Sequence, residues 1–278
     1  MSSISDKFHL FTQVFAFILP YTLTLLRQKI SALIHKHTYK SLPDSQVKNV
    51  VVIGGSFAGF QLTKRLTETL PTGYRVILVE KNSHLNYLFA FPRFSVVKGY
   101  EQYAFIPYTG LAKSAPAGIF RHIQDLAVEV SERHVVLARG EKLEYEYLVI
   151  ATGTSSARPS KVTSTDSEGG KKELRGMQED IEKAMRIAVV GGGAVGVELA
   201  SDIKSFYQDK HVAIIDSRER LLHSFGPRLH EYTMKALKEL GVAVFLNERP
   251  TIPTHGNKLE LSQGKKEAFD LIVCLFDS

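Results

Sequence analysis

Val50-Val51-Val52-Ile53-Gly54-Gly55-Ser56-Phe57-Ala58-Gly59-Phe60-Gln61-Leu62 reads as a short apolar strand, a glycine turn and the start of a helix. Val47 to Ile53 is largely β-branched and bounded by glycine, as a buried parallel strand requires. From Phe60 to Leu66 the apolar residues fall at helical spacing. In this setting Gly54 permits the tight turn and Gly59 lets helix and strand approach. The helix N-terminus then offers amides and partial positive charge to a pyrophosphate. Ser56 stands where GxGxxG has its middle glycine and crowds that position slightly. The next strand, Arg75 to Val79, ends at Glu80, 21 residues beyond Gly59. A carboxylate there can accept hydrogen bonds from a ribose diol.

A second copy begins 137 residues later. Ile187 to Val190 lead into Gly191-Gly192-Gly193-Ala194-Val195-Gly196, a complete GxGxxG, and Val197 to Ile203 continue as a helix. The following strand, Val212 to Ile215, ends at Asp216, 20 residues after Gly196. An acid at this place favours NADH, because it repels a 2′-phosphate. Arg218 and Arg220 just beyond are the alternative, a pair able to hold that phosphate, so NADPH stays open. Either motif alone also suits a glycine turn in an unrelated α/β domain; two complete units make coincidence a poor explanation. Two dinucleotides in one chain point to a flavin nucleotide beside a nicotinamide, with hydride passing from the second site to the first.

Composition narrows the remaining classes. With 44% hydrophobic and 23% charged residues among 278, the chain can bury a core and is neither a disordered tail nor a coiled coil. The net charge of +6 is unevenly placed: residues 1–48 hold six Lys/Arg against two Asp, leaving only +2 for the other 230 residues. A near-neutral folded part argues against nucleic acid as a partner. The histidines of that part, from His84 to His255, do not pair at metal-ligand spacing, so no metal site is expected.

Phe8 to Leu26 contains no charge, and its 19 residues would span about 28 Å as a helix, close to a bilayer's hydrocarbon core. Pro20 would kink or end that helix. Arg27, Lys29, Lys36 and the neighbouring histidines follow, so the positive-inside rule keeps the downstream domain on the cytoplasmic side, a mitochondrial membrane being one compatible site. The alternatives are a signal peptide, an import leader and an amphipathic helix lying on the bilayer. Residues 38–47 read as a polar linker.

Between the two units, Tyr147-Leu148-Val149-Ile150-Ala151-Thr152-Gly153 is a strand ending in Ala-Thr-Gly. With GGSFAG before it and GGGAVGVELA after it, the chain resembles the two-dinucleotide FAD/NAD(P)H oxidoreductases of the pyridine nucleotide-disulfide oxidoreductase superfamily. Within these it is most similar to the apoptosis-inducing-factor-like, ferroptosis-suppressor-type proteins and their type II NADH dehydrogenase relatives. The resemblance runs from about residue 47 to the C-terminus. It implies an α/β fold of two Rossmann-like units with parallel sheets behind an N-terminal hydrophobic helix. The boundaries expected are a membrane segment and linker at 1–46, an FAD-binding half at 47–160 and an NAD(P)-binding domain at 161–278. By the same likeness Gly54, Gly55, Ser56, Phe57, Ala58, Gly59, Glu80 and Lys81 would hold FAD, with Arg93 at a flavin-contacting position. Ala151, Thr152 and Gly153 would lie near the crossover, and Gly191, Gly193, Gly196, Glu198 and Asp216 would hold the nicotinamide nucleotide.

Disulfide reductases of this kind use a cysteine pair beside the flavin, whereas Cys274 is the chain's one cysteine. Electrons are therefore expected to pass from FAD straight to a small acceptor, a quinone being the natural choice beside a membrane segment. Lys161 either balances charge on a reduced flavin or is a solvated loop lysine. Aromatic residues at Tyr100 to Tyr108 either line an acceptor pocket or pack the core. The sequence stops at Ser278, where such relatives return to the FAD domain. The return segment and interface domain are thus expected to be missing, and a catalytically inactive, membrane-tethered nucleotide-binding remnant is the alternative to the enzyme.

Overall fold

Alternating blocks of β-branched strand and amphipathic helix have one economical solution, a parallel sheet with helices packed on its faces. The computed structural model describes residues 4–154, 160–252, 258–261 and 266–275. His255 and the stretch just after the Ala-Thr-Gly turn, 155–159, lie outside the described residues. The chain opens with α1 (Ile4–Thr38), β1 (Lys48–Ile53), α2 (Phe57–Thr67), β2 (Tyr74–Val79), β3 (His84–Asn86), α3 (Phe91–Phe94) and β4 (Phe105–Pro107). It continues with α4 (Thr109–Ser114), β5 (Phe120–Ile123), β6 (Ala127–Val130), β7 (His134–Leu137), β8 (Lys142–Glu144) and β9 (Tyr147–Ile150). The rest comprises α5 (Ser167–Lys183), β10 (Arg186–Val190), α6 (Ala194–Phe206), β11 (His211–Ile215), α7 (Pro227–Leu240), β12 (Ala243–Phe245), β13 (Lys258–Glu260), β14 (Lys266–Ala268) and β15 (Leu271–Cys274).

Two compact units result. The first consists of residues 1–81 and 108–152 and carries the parallel sheet β5-β2-β1-β9, with Val51 opposite Ile77 and Val52 opposite Val149. That order is the mononucleotide-binding half of a doubly wound sheet. Val51, Ile53, Ile77 and Val79 pack against Val135, Leu137 and Leu143 of the antiparallel sheet β6-β7-β8.

The second unit comprises 82–107 and 153–278. Its sheet, β12-β11-β10-β15, repeats the same parallel order. Ile187, Val189, Leu199, Ile203, Ile214 and Leu237 form its core on one face; Val190, Ile215, Leu259 and Phe269 pack on the other. Residues 82–107, which the sequence places in the first half, cluster here. Phe91, Ala104 and Phe105 bury themselves with Val162 and Leu174, and Gln178 Nε2 donates to Phe94 O at 2.7 Å. The aromatic run therefore divides: Phe105 and Tyr108 are buried, while Tyr100 and Tyr103 are exposed.

Two helices run where their local composition does not suggest it. Ser160 to Glu173 has a loop-like composition, yet α5 begins at Ser167, because Asp166 Oδ1 accepts the Gly169 amide at 2.8 Å as an N-cap. Gly170 is required inside that helix, since a Cβ there would lie 2.5 Å from the Phe105 ring. Nor does Pro20 end the first helix, which runs on through it to Thr38. By length and composition α1 is able to cross a membrane, and its side chains are exposed over most of its length. Its C-terminal end is docked on the first unit: His35 Nε2 lies 2.7 Å from Leu70 O, Tyr39 donates to Tyr74 O at 2.9 Å, and the Lys40 amide donates to Thr72 Oγ1 at 3.0 Å. Asp44 then pairs with Arg75 at 2.6 Å, so the stretch read as a linker lies along the unit.

Candidate functional site

At the carboxyl end of β1 the chain turns at Gly54 with φ +99°, a conformation that favours glycine. A Cβ on Gly54 would lie 2.4 Å from Ala151 O, so the Ala-Thr-Gly turn passes directly against the first glycine turn. One on Gly59 would lie 1.8 Å from Gly54 O, which is why the helix can seat so close to the strand. Ser56 is the N-cap of α2, but its side chain does not cap the helix. The helix N-terminus thus opens onto the turn, with its dipole available to an anion.

Gly55 is held from both sides. Its amide donates to Glu80 Oε2 at 2.5 Å, and its carbonyl accepts from Tyr108 Oη at 2.8 Å. Both Glu80 and Tyr108 are buried, and a Cβ on Gly55 would meet the Tyr108 hydroxyl at 2.3 Å. Burial, with the Glu80 carboxylate adding to it, raises the Tyr108 phenol well above its usual range and keeps it a donor. The His122 ring packs 4.6 Å from that of Tyr108, and burial lowers its pKa against the opposing pull of Glu80. The sequence offers Tyr108 only as part of an aromatic run that lines an acceptor pocket or packs the core, not as a partner of the glycine turn, and gives no sign of His122. Tyr108 lies 53 residues from Gly55, just before α4, and packs on His122 of β5, a juxtaposition no motif spacing reveals.

The second turn is built the same way. Gly191 takes φ +123°, and a Cβ on Gly196 would lie 1.9 Å from Gly191 O. The Gly192 amide donates to Asp216 Oδ2 at 2.5 Å, and its carbonyl accepts from the Leu222 amide at 2.9 Å. Leu222 adopts φ +51° in making that bond, a strained conformation for a side chain branched at Cγ. Asp216 Oδ1 also accepts the Arg218 amide at 2.8 Å, so both carboxylate oxygens are fixed. The Arg218 guanidinium lies against His223, and Arg220 Nε is 3.6 Å from Glu219 Oε1. At Gly193 an added Cβ would meet nothing within 4 Å. Bare backbone, open space and a helix N-terminus fit a pyrophosphate.

The remaining predicted residues are dispersed. Arg93, on α3, belongs to the second unit, where Nε and Nη2 grip both oxygens of the buried Asp202 on α6, at 3.1 and 2.8 Å. Glu198, one turn earlier on α6, has its carboxyl pushed up by burial and by Asp202, with Arg93 opposing. Lys81 is exposed, its carbonyl 3.4 Å from Gln124 Nε2. Thr152 closes the first unit's second stretch, Gly153 opens that of the second unit with φ +69°, and Lys161 is half-buried beside Val162. Cys274 is half-buried on β15, where desolvation raises its thiol.

Residues 48–275 match the model of the pyridine nucleotide-disulphide oxidoreductase family. The chain is 37% identical over 260 residues to Fe-regulated protein 8 of Mycosarcoma maydis, covering 84% of this chain and 65% of that one. Over 203 residues it is 32% identical to ferroptosis suppressor protein 1 of Taeniopygia guttata, covering 72% and 52%. It thus spans between half and two thirds of the length of these relatives. Its fold matches the sulfide:quinone oxidoreductase of Aquifex aeolicus with a TM-score of 0.66 at 18% identity, over 83% of this chain and 59% of that one. Two gripped glycine turns on two parallel sheets, joined by the Ala-Thr-Gly strand, accord with these likenesses: the chain belongs to the pyridine nucleotide-disulphide oxidoreductase family.

Proposed function

We propose that this chain is the nucleotide-binding core of a membrane-associated flavoprotein oxidoreductase that takes hydride from NADH or NADPH into FAD and passes electrons to a quinone-type acceptor. The observation that carries this reading is the repeated grip on the second glycine of each turn, by Glu80 in one unit and Asp216 in the other. In the first unit Gly54 to Gly59, Glu80 and the Ala151–Gly153 turn would hold FAD, which when bound supplies the two-electron chemistry. In the second, Gly191, Gly193 and Gly196 would cradle the nicotinamide pyrophosphate at the N-terminus of α6. Asp216, its carboxylate fixed by two amides, would accept from a ribose diol and repel a 2′-phosphate, which favours NADH. Glu198, its carboxyl pushed up by burial and by Asp202, stands on the first turns of α6 and would contact the nicotinamide nucleotide there.

The chain brings one cysteine and so no dithiol of its own, which supports direct transfer to the acceptor. The apolar α1 supports a lipid-soluble one, with the folded part on the cytoplasmic side. The visible spectrum of detergent-purified protein, before and after anaerobic NADH and in parallel NADPH, tests the proposal. A flavin band that bleaches is the expected result. A colourless protein that takes up no added FAD would overturn it in favour of an inactive nucleotide-binding remnant.

A further inference from the structure

Residues 82–107 tie α5 to α6 within the second unit. On the α5 side Gln178 Nε2 donates to Val97 O at 3.2 Å as well as to Phe94 O, and Arg175 Nε donates to Glu101 Oε1 at 2.8 Å. On the α6 side Val96 is buried with Leu199 and Ile203, and Arg93 closes a two-pronged bond on the Asp202 carboxylate. That pair is lopsided: the Arg93 side chain is 56% exposed and that of Asp202 only 7%. Left alone, the guanidinium would be hydrated where it stands. The carboxylate would become an unpaired buried charge, which is strongly unfavourable. It regains water only by a shift of α6, and α6 has little slack. Asp202 lies six residues beyond Gly196, about 9 Å along the helix, and Gly196 is seated directly on Gly191 O. Any such shift therefore reaches the glycine turn. Glu198, one turn before Asp202, would move with it.

We propose that Arg93 and Asp202 are a positioning pair for the nicotinamide site: Arg93 neutralises Asp202 and so holds α6, with the pyrophosphate cradle at its N-terminus, in the geometry that binds the nucleotide. The inference rests on the reading that the second glycine turn takes a nicotinamide nucleotide. It differs from what the family resemblance implies for Arg93, a contact with the flavin. Nε and Nη2 are both engaged by Asp202, and the residue clusters with the second unit, whereas the turn at Gly54 belongs to the first. A residue acting in this way touches neither nucleotide. Its removal does harm through the charge it leaves behind, so removing that charge as well should undo the harm.

The test is a double-mutant cycle on the full chain, purified in detergent at about pH 8, with Arg93→Gln, Asp202→Asn and the two combined. Calorimetric titration with NAD⁺ and NADP⁺, which oxidised flavin does not consume, reads the second site. Quenching of flavin fluorescence reads FAD uptake by the same proteins. Arg93→Gln should weaken binding of the preferred nicotinamide nucleotide about ten-fold, and Asp202→Asn and the double variant only about two-fold. FAD affinity should stay within about two-fold throughout. Arg93→Lys, which keeps the charge and loses the fork, should fall between, at about three-fold, and takes the place of Arg93→Gln if circular dichroism shows that variant unfolded. Loss of FAD affinity with nucleotide affinity kept would overturn the proposal and return Arg93 to the flavin. A double variant as weak as Arg93→Gln, or no loss in any variant, would overturn it too. A wild type that binds neither nucleotide would refute the reading of the second turn, and the role of the pair with it.

Discussion

Gly193 and Gly196 occupy the same fingerprint, yet their surroundings predict opposite phenotypes for the same added methyl. At Gly193 an added Cβ would meet nothing within 4 Å, and the backbone is extended at φ −75°, ψ −174°, so alanine is accommodated without strain. Gly193→Ala should therefore melt within about 2 °C of the wild type. Its methyl nevertheless fills the space a pyrophosphate needs, so NADH should bind about ten-fold more weakly or worse, roughly 1.4 kcal/mol. At Gly196 the methyl would lie 1.9 Å from Gly191 O. Carbon and oxygen need about 3.2 Å, so strand and helix must part by more than an ångström, at about 2–4 kcal/mol. That corresponds to a melting point lower by roughly 5–15 °C. Circular dichroism melts and calorimetric titration with NADH on the two variants read both quantities. If Gly193→Ala binds NADH like the wild type, or Gly196→Ala melts with it, the account of the turn given above is wrong.

Three further outcomes follow from the same geometry. Tyr108→Phe deletes one hydrogen bond to Gly55 O, so FAD affinity should fall about five-fold while NADH affinity in the second unit stays unchanged, measured by fluorescence titration. Asp216→Ala removes the carboxylate that would repel a 2′-phosphate; the ratio of NADPH to NADH affinity should rise by about ten-fold or more, and an unchanged ratio would place nucleotide choice elsewhere. Burial raises the Glu173 carboxyl, but hydrogen bonds from Ser164 and Thr163 outweigh this and leave it below its ordinary value. A depressed acid stabilises the fold above its unfolded pKa and stops doing so as pH falls through the folded one. Glu173→Gln, read by urea melts, should therefore cost about 1 kcal/mol at pH 7, and the cost should fade as pH falls through the folded-state value.

The glycine turns, the strands beside them and the acids that end the second strands were legible because each is a local pattern, hydrophobic period followed by a conformational requirement. Bounds at β1, β2, β10 and β11 fall within a residue or two of the apolar runs. What local pattern could not supply was anything joined across the sheet. Tyr108 reaches Gly55 across 53 residues of chain, and Arg93 reaches Asp202 across 109. The start of α5 was hidden for a different reason: Ser167-Glu168-Gly169-Gly170 has loop composition, and only the Asp166 cap and the space beside Phe105 make it helical.

The interleaving of the two units bears on how such a chain can be cut, shuffled or evolved. The backbone passes from one unit to the other after Lys81, again after Pro107 and again after Thr152. No single cleavage point therefore yields two self-sufficient pieces. A fragment starting at Gly153 would lack the partners that Leu174 and Gln178 find in Phe91, Ala104 and Phe94, and would expose an apolar face and a stranded amide. A nick near Gly153 should instead leave two polypeptides associated through the swapped 82–107 segment, and recombination between homologues should tolerate exchange of the whole core better than exchange of either half.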